Sequence, residues 1–464
     1  MDAPPKNNKA KELEDKLTSL KPHKKDKEEP SHVIKPKSFE TGSLKIDEKE
    51  LSKIEKQIGG FDDLKNNINK VSTTKMLEAI IAGGLKFNAS DIHIEPSPKD
   101  AKLRYRLDGI LYNAATLNKL DYDRALNRIK ITSNLKLNIH NASQDGRFTI
   151  KTGDTDIEVR VSILPSEYGE TVVLRLLDPR TILKGLDSLG IHKDLLEKIK
   201  QQLKKPIGAI FTTGPTGSGK TTALYAFTNY LHSPKTKIIT IEDPIEYHIE
   251  GISQTQVNPK DGYTFSNGLK SIMRQDPDII LVGEVRDAET AQIVVRAALT
   301  GHLVLSTLHT NEAAGSIPRL IDLGINPQTI PPAINMVLGQ RLIRILCPKC
   351  KSPKSPPPEA LLKIKENLGH LKDRFKLSKL NSSLKVYYPN KCKECSYSGY
   401  KGRVGVFEGF TISKEMEKLI LKSSSMSEIK DLAIEEGMVT MLQDGYLKLV
   451  EGVTSLEEID RVLE

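Results

Sequence analysis

A short glycine-rich segment carries the residue types that bind a nucleotide phosphate. The segment GPTGSGKT at 214–221 fits the pattern G-x-x-x-x-G-K-[ST], with an apolar run before it and a predicted helix after it. Its glycines let the backbone turn so that N–H groups face phosphate oxygens, and the following helix adds the positive end of its dipole. Lys220 supplies a positive charge for the β- and γ-phosphates, and the Thr221 hydroxyl can ligate Mg²⁺. The predicted nucleotide-binding residues are Gly214, Pro215, Thr216, Gly217, Ser218, Gly219, Lys220, Thr221 and Thr222.

Three further predicted strands deliver polar groups to the edge of the sheet that carries this segment. Apolar runs lead into Glu242, into Glu284 and, past Thr307, into His309. Ligands of an open parallel sheet lie beyond the carboxyl ends of its strands, so we expect these groups near the phosphates. Glu284 follows four apolar residues and Gly283. We interpret it as the catalytic group that orients and partly deprotonates the attacking water.

The acidic residues after the run at 237–241 have more than one interpretation. Gly283 stands where phosphate-loop enzymes often place an Asp that holds Mg²⁺, so Glu242 or Asp243 is predicted to help hold the metal indirectly. Glu246 is either a catalytic group or a helix cap, since a carboxylate shortly after a strand is commonly a cap.

The four cysteines of the chain form two C-x-x-C pairs, Cys347 with Cys350 and Cys392 with Cys395. Each pair places two thiolates on one tight knuckle, and two knuckles can close a tetrahedral Zn²⁺ site that has no open position. This arrangement predicts a structural site or a docking surface rather than a catalytic one. A redox dithiol pair and an iron–sulfur site are the alternatives.

Length and composition indicate a folded protein of several domains. The chain has 464 residues, of which 38% are apolar and 28% charged, and this excludes a fibrous or wholly disordered chain. A net charge of +9 favours anionic partners such as lipid, nucleic acid or nucleotide. The apolar runs are too short to span a membrane and the polar start has no signal core, so we expect a cytoplasmic protein.

The first part of the chain divides into three predicted stretches. Residues 1–70 mix opposite charges with several prolines, which predicts a disordered charged tail. Helical spacing and then two-residue alternation predict a small α+β domain at 71–180, followed by a linker at 181–192. Asp91, His93 and Glu95 share one strand face, which favours a polar interface over a metal site.

The rest of the chain is predicted to hold the core of the protein. From 193 to 345 apolar runs alternate with amphipathic stretches such as 222–231 and 288–299. This order predicts an α/β fold whose parallel sheet is covered on both faces. A zinc-binding subdomain at 346–408 and a helical region at 409–464 complete the predicted organisation.

Four segments together resemble the assembly ATPases of type II secretion systems and type IV pili, a branch of the hexameric secretion ATPases with RecA-like cores. GPTGSGKTTALY is similar to the Walker A motif of that family and TIEDPIEY to its Asp box. RQDPDIILVGEVRDAETA is similar to its atypical Walker B motif, and TGHLVLSTLHTN to its His box. The resemblance extends from about Val71 to about Glu464.

The resemblance implies a homo-hexameric ring in which ATP hydrolysis with Mg²⁺ moves an inner-membrane platform protein and so assembles a fibre. It implies that Arg160 and Arg175 approach the phosphates as arginine fingers, with a surface salt bridge as the alternative for each. The cysteines resemble the zinc-bearing insertion of assembly members, and retraction relatives usually lack them. We therefore expect an assembly ATPase of a pilus, pseudopilus or competence fibre, attached peripherally to the inner membrane through partners and in contact with anionic lipid.

A nucleic-acid translocase or a DNA-binding ATPase with a structural zinc is the alternative hypothesis. A RecA-like core and a basic chain permit it. Trp is absent and aromatic residues make up 5% of the chain, which leaves few stacking platforms for single strands. We therefore favour the assembly motor and expect no nucleic-acid partner.

Overall fold

An antiparallel sheet with three helices makes up the first part of the fold. The computed structural model describes residues 42–46, 58, 60–68, 73–152, 155–179, 185–377 and 380–464. The strand order of the first sheet is β1-β5-β6-β7-β2-β3-β4, and every neighbouring pair is antiparallel except β1 with β5. The strands are β1 (Gly42–Lys45), β2 (Asp91–Pro96), β3 (Asp100–Leu107), β4 (Ile110–Asn118), β5 (Gln144–Thr152), β6 (Thr155–Ser166) and β7 (Gly169–Leu177). The helices are α1 (Phe61–Ile68), α2 (Thr73–Lys86) and α3 (Lys119–Thr132).

One apolar core holds this small α+β domain together. Ile92 and Ile94 of β2 are buried, and so are Leu103 and Tyr105 of β3. These residues alternate along each strand because successive side chains of a strand point to opposite faces. The predicted antiparallel group of half-buried strands is therefore confirmed.

The predicted charged tail at 1–70 is wrong for the part of it that the structure describes. Strand β1 pairs in parallel with β5, and Leu44 is buried in the core of the first domain. Helix α1 adds buried Leu64 and Ile68, which lie four residues apart on one helical face. These few apolar residues are spaced for burial, but the charged residues around them lower the mean apolar content. The rest of the predicted tail lies outside the described residues.

A second sheet of seven strands forms the larger part of the fold, in the order β10-β9-β11-β12-β8-β13-β16. Its strands are β8 (Gly208–Thr213), β9 (Ile238–Glu242), β10 (Ser253–Gln256), β11 (Ile279–Val282), β12 (Leu303–Leu308), β13 (Ile334–Leu346) and β16 (Tyr400–Thr411). Its helices are α4 (Lys193–Leu203), α5 (Lys220–Leu231), α6 (Phe265–Ile272), α7 (Ala288–Leu299), α8 (Ser316–Asp322) and α9 (Ile330–Ala333). Phe211 of β8 belongs to one apolar core and its neighbour Ile210 to another. The sheet is thus covered on both faces, as the alternating α/β pattern predicts.

This sheet is mixed rather than wholly parallel. Neighbouring strands are parallel in the part of the sheet ordered β10-β9-β11-β12-β8-β13. Strand β16 is antiparallel to β13, with Gly339 opposite Glu408. The chain leaves β13 next to the first cysteine pair and returns at the same end, so β16 has to run in the opposite direction. The predicted zinc-binding subdomain at 346–408 therefore includes residues that belong to the core sheet.

The predicted linker at 181–192 is wrong over its second half. Leu186, Leu189 and Ile191 are buried in one core of the second sheet. The carbonyl of Leu189 also accepts a hydrogen bond from the N–H of Gly405 in β16, at 3.2 Å. Apolar residues spaced by two and three residues thus attach this segment to the core, while residues 181–184 lie outside the described part of the chain.

Two short strands and five helices complete the described part of the chain. Strands β14 (Ser352–Lys354) and β15 (Val386–Tyr388) pair antiparallel, and α10 (Pro358–Leu368) lies between them in sequence. The last helices are α11 (Lys414–Leu421), α12 (Met426–Glu435), α13 (Met441–Val450) and α14 (Leu456–Leu463). Capping boxes at Ser425 and Thr440 begin α12 and α13. No helix within the described ranges combines the length and apolar character needed to cross a membrane.

Candidate nucleotide site and cysteine cluster

The phosphate loop joins the end of β8 to the start of α5. Gly214 has a φ of 147° and Gly219 a φ of 89°, a region that favours glycine. A Cβ atom at Gly214 would lie 2.4 Å from the carbonyl oxygen of Gln340, so the loop also needs glycine for its close approach to β13. Within the described residues, the buried Ser218 Oγ and Gln340 Oε1 beside this loop have no hydrogen-bond partner. The loop therefore has the shape and the spare polar atoms of a phosphate site.

Lys220 lies across this loop at the start of α5. Its Nζ donates to the carbonyl oxygens of Gly214, at 2.7 Å, and Pro215, at 3.1 Å. Burial lowers the pKa of Lys220, and the negative charge of Glu284 partly opposes this effect. The charge of Glu284 thus acts on Lys220 from across the site.

Glu284 follows β11 by two residues and its side chain is 11% exposed. Its Oε2 lies 3.0 Å from Nε2 of His309 and 2.6 Å from Nε of Arg286. The structure thus brings together two predicted catalytic residues from different strands. Arg286 was not predicted, although its position two residues after Glu284 in the Walker B-like segment was a signal that could have indicated it.

Thr213 connects the phosphate loop to the segment that carries His309. Its hydroxyl donates to the carbonyl oxygen of Thr310 at 2.8 Å and accepts from the N–H of Thr310 at 3.0 Å. The ends of β8 and β12 are therefore joined directly. Sequence reasoning missed this contact because no motif pairs two threonines that are so far apart in the chain.

Glu242 is held inside the core sheet. It is 3% exposed and accepts hydrogen bonds from the hydroxyls of Tyr225 and Thr240 and from the side-chain amide of Gln254. Burial raises the pKa of Glu242, and these hydrogen bonds oppose the rise. The structure therefore gives this carboxylate three protein donors that brace β9 against α5 and β10.

The two predicted arginine fingers lie in different surroundings. Arg160 of β6 donates to the carbonyl oxygen of Ile245 at 2.8 Å and pairs with Glu246 at 3.1 Å, so the first domain contacts the loop after β9. Arg175 of β7 pairs with Asp91 at 3.0 Å, and its side chain is 60% exposed. Each arginine therefore forms a salt bridge here, which is the alternative that the sequence analysis gave for it.

A cleft of about 1060 Å³ connects Arg175 to the phosphate loop. Its wall includes Arg175 and Asp178 of the first domain, Gly219 and Thr222 of the loop and α5, and Cys395. Arg175 therefore borders the same space as the start of the nucleotide-binding helix.

The polar face of β2 is an ion-pair network. Asp91 also contacts Nε of Arg106 at 3.2 Å, and Glu95 pairs with Arg104. Burial lowers the pKa of His93, and the positive charge of Arg106 lowers it further. The two carboxylates of this face, Asp91 and Glu95, are thus paired with arginines.

The four cysteines converge to form one cluster. Their sulfur atoms all lie within 4.8 Å of one another, and in the described part of the chain they are the one such group that could hold a metal ion. Three of the Sγ–Sγ distances are 3.8 Å for Cys347–Cys392, 3.8 Å for Cys350–Cys395 and 3.6 Å for Cys392–Cys395. A tetrahedral zinc with Zn–S distances of about 2.3 Å requires sulfur separations of about 3.8 Å. These three distances therefore match a tetrahedral Zn²⁺ site, and the four thiols could hold the ion.

Comparison with known proteins shows which family the sequence resembles. A family model described as type II/IV secretion system protein matches residues 66–461. The type II secretion system protein E of Dickeya dadantii is 42% identical over 401 residues, which are 86% of this chain and 78% of that protein. The type II secretion system ATPase E of Vibrio cholerae is 38% identical over 453 residues, or 97% of this chain and 85% of that protein. The type IV pilus assembly ATPase PilB of Acinetobacter baylyi is 40% identical over 389 residues, or 84% of this chain and 66% of that protein.

Solved structures share the fold. The Legionella pneumophila ATPase DotB has a TM-score of 0.60 at 20% identity, over 83% of this chain and 95% of that chain. The pilus retraction motor PilT with bound ADP has a TM-score of 0.55 at 24% identity, over 83% of this chain and 96% of that chain. These likenesses confirm the predicted fold class, and the sequence matches confirm the resemblance stated from the motifs. The chain therefore belongs to the type II/IV secretion system protein family.

Proposed function

We propose that this chain is the ATPase whose turnover powers assembly of a type IV pilus, a type II secretion pseudopilus or a competence fibre. The observation that carries this proposal is Glu284, held by His309 and close to Lys220 of the phosphate loop. A nucleotide that acts only as a structural switch needs the loop alone, whereas hydrolysis also needs a group that activates water. The identities to secretion and pilus assembly ATPases support the same reading.

Nucleotide binding uses the loop and the first turn of α5. Lys220 turns from the carbonyl groups of Gly214 and Pro215 to the β- and γ-phosphates, and the loop N–H groups donate to the phosphate oxygens. The Thr221 hydroxyl would hold Mg²⁺, which neutralises phosphate charge when bound. An anion at this position also favours the charged form of Lys220, whose pKa burial lowers.

Hydrolysis then depends on the carboxylate of Glu284. The water oxygen attacks the γ-phosphorus, a proton of that water passes to Glu284, and the bond between the γ-phosphorus and the oxygen of the ADP leaving group breaks. Because His309 and Arg286 both contact Oε2, Oε1 is the oxygen that accepts the proton. Glu242 and Glu246 act indirectly, the first by bracing β9 and the second by holding Arg160.

The arginines of the first domain connect hydrolysis to movement. Arg160 and Arg175 add positive charge to the transition state, an effect worth about 10³ to 10⁵ in rate when an arginine is fully placed. Arg175 reaches the nucleotide across the cleft that it shares with Gly219 and Thr222. Loss of the γ-phosphate releases these contacts, so the first domain moves against the core. In a hexameric ring that movement displaces a neighbouring subunit.

The remaining assignments concern the cysteine cluster and the partners. Cys347, Cys350, Cys392 and Cys395 would hold Zn²⁺, which supplies folding free energy to the segment between the two knuckles. The motor works on an inner-membrane platform protein and is held at the membrane through its partners and anionic lipid. It binds no nucleic acid.

The test is the Glu284→Gln variant, with Lys220→Ala as its matched comparison. Glutamine keeps the size of the side chain and loses the base, so ATP should still bind while turnover falls by about 10² to 10⁴. Lys220→Ala should instead weaken ATP binding. Near-normal turnover of Glu284→Gln would overturn the catalytic assignment. Stimulation of the wild-type ATPase by DNA, without stimulation by the platform protein or anionic vesicles, would favour a nucleic-acid translocase.

A further inference from the structure

Glu408 of β16 joins two parts of the molecule through its two carboxylate oxygens. Oε1 accepts a hydrogen bond from the N–H of Ala313 at 2.8 Å, and Oε2 accepts from the N–H of Met441 at 3.1 Å. Ala313 belongs to the segment after β12, and Met441 is the first residue of α13. The residue is 3% exposed. A single buried side chain thus connects the segment after β12 to the C-terminal helices.

The segment that contains Ala313 begins at the nucleotide site. We name residues 309–315, between β12 and α8, the His loop. Its first residue, His309, contacts Glu284, and its second, Thr310, is bonded to Thr213 beside the phosphate loop. Only three residues lie between His309 and Ala313. A short stretch of backbone therefore joins His309 to the amide that Glu408 binds.

The surroundings of Glu408 show that the position is built for a carboxylate. Both hydrogen bonds come from backbone amides, and one of them lies at the N-terminus of α13, where a negative charge is favoured. A Cβ atom at Gly339, the residue paired with Glu408, would lie 2.9 Å from the Glu408 Oε1. Burial raises the pKa of Glu408, and the hydrogen bonds from the two amides oppose the rise.

A second contact joins the His loop to the same group of helices. Nζ of Lys430 on α12 lies 2.5 Å from Oε2 of Glu312, the residue before Ala313. Lys430 and Glu312 are 37% and 23% exposed at the side chain, so water weakens this pair. Of the two connections, the buried one at Glu408 is the more rigid.

We propose that Glu408 is a positioning residue that fixes the His loop relative to α13 and passes nucleotide-dependent movement of that loop to the C-terminal helices. The inference rests on the proposed function, because it needs the His309–Glu284 pair to act in hydrolysis. Glu408 itself touches no reacting atom. Its effect on turnover is exerted through His309, and its effect on movement through the first turn of α13.

The test compares Glu408→Gln with the matched variant Glu458→Gln in the full chain. Glutamine at 408 places an amide N–H₂ group against one of the two backbone N–H donors, so one connection breaks. Glu458 is also buried, at 0% exposed, but it binds Arg344 and Arg461 and makes no described contact with the His loop. We expect Glu408→Gln to lower kcat about tenfold per bound nucleotide, with KM for ATP changed less than about twofold. Glu458→Gln should lower thermal stability by a similar amount and leave kcat per bound nucleotide within about twofold.

Two further measurements separate positioning from loss of structure. In a His309→Ala background, Glu408→Gln should cost nothing more in kcat, whereas a purely structural effect would multiply with that of His309→Ala. In the wild type, amide hydrogen exchange of residues 441–445 should slow when a non-hydrolysable ATP analogue binds, and this response should be lost in Glu408→Gln. If Glu408→Gln does not fold, the wild-type exchange measurement decides alone, and an unchanged rate at 441–445 overturns the proposal.

The outcomes distinguish this inference from the proposed function. An active Glu284→Gln variant removes the proposed function and the inference with it. An inactive Glu284→Gln together with a Glu408→Gln variant that behaves like Glu458→Gln removes only the inference. Multiplicative losses in the His309→Ala background would likewise overturn it.

Discussion

The nucleotide site and the cysteine cluster are built over very different distances along the chain. Each half of the cluster is a knuckle of four residues, and β13 and β16 bring the two knuckles together at one end of their ladder. The proposed nucleotide site takes Lys220 from α5, Glu284 from the end of β11 and His309 from the end of β12, and we propose that Arg160 and Arg175 of the first domain join them. A site assembled from separate elements can respond when those elements move. The cluster has no such freedom.

The strength of the contacts differs in the same way. His309 and Arg286 contact Glu284 with side chains that are 45% and 67% exposed, and exposed ion pairs of this kind are worth about 0–1 kcal/mol. Closed thiolate sites bind zinc with about 10–16 kcal/mol. Nucleotide binding can therefore replace the contacts around Glu284, while a cysteine cluster that holds zinc keeps its geometry. The comparison predicts large catalytic effects at one site and mainly structural effects at the other.

Arg175→Ala should give the largest effect of the variants that test this comparison. We expect ATP to bind within a few-fold of wild type while turnover falls about 10³-fold, because the transition state loses a cation. Arg106→Ala is the matched control, since Arg106 contacts the other oxygen of Asp91 at 3.2 Å and leaves Arg175 in place. Steady-state kinetics and nucleotide titration of the two variants provide the measurement. Equal losses in both would show that the ion-pair network, rather than Arg175, matters.

Mixed rings test whether this site works between subunits. Adding Arg175→Ala chains to wild-type chains should depress activity more than in proportion to their fraction, because each subunit pushes the next. Strictly proportional loss, or a dilute monomer with full activity, would contradict coupling within a ring.

His309→Ala should have a smaller effect on turnover. Glu284 keeps the contact of Arg286 at 2.6 Å, so its carboxylate is still partly oriented. We expect kcat to fall about tenfold with little change in KM, measured by steady-state ATP hydrolysis. A loss as large as that of Glu284→Gln would mean that the imidazole itself transfers a proton.

Cys347→Ser should affect metal content and stability far more than turnover. We expect elemental analysis to find about one zinc per wild-type chain and almost none in the variant, since three thiolates bind zinc more weakly than four. Residues 347–399 should become sensitive to proteolysis, while kcat per bound nucleotide stays within a few-fold because β16 remains paired with β13. Iron in the wild-type protein, or no metal, would remove the zinc assignment.

Two truncations should give the smallest effect on turnover and a clear contrast in stability. Removing residues 1–41 should leave the basal ATPase rate unchanged and affect only docking to partners. Removing residues 1–72 also deletes β1 and α1, with the buried Leu44, Leu64 and Ile68, and should lower the melting temperature by about 10 °C or more. Thermal melts and ATPase assays of the two truncated proteins check this, and a slower enzyme without residues 1–41 would contradict it.

The parts of the sites that lie in short motifs could be predicted from the sequence. The phosphate loop, Glu284 and the cysteine pairs are each defined by residue types at fixed spacing, so the chemistry could be inferred without coordinates. The convergence of Glu284 with His309 also followed from one rule, that parallel strands present their carboxyl ends at the same edge.

Other features depend on pairing between distant segments, which no local pattern reveals. Strand β16 pairs with β13 across the whole cysteine segment, and β1 pairs with β5 although few apolar residues mark it. Glu408 is the one acidic residue of β16. Its proposed role depends on hydrogen bonds from the backbone amides of Ala313 and Met441, which are distant in the sequence. Arg286 could have been noticed, but an exposed arginine near an acidic residue is common.

Strand β16 also restricts the number of residues that can lie between the cysteine cluster and Glu408. It begins at Tyr400, next to the cysteine cluster, and at about 3.3 Å per residue it reaches Glu408 about 26 Å away. Deleting one residue within 404–407 would turn Glu408 to the opposite face of the sheet and separate it from both of its amides. Deleting two would restore the face but move Glu408 about 7 Å along the strand, away from both amides. The length of chain between the cluster and the carboxylate is therefore fixed by the contacts at its two ends.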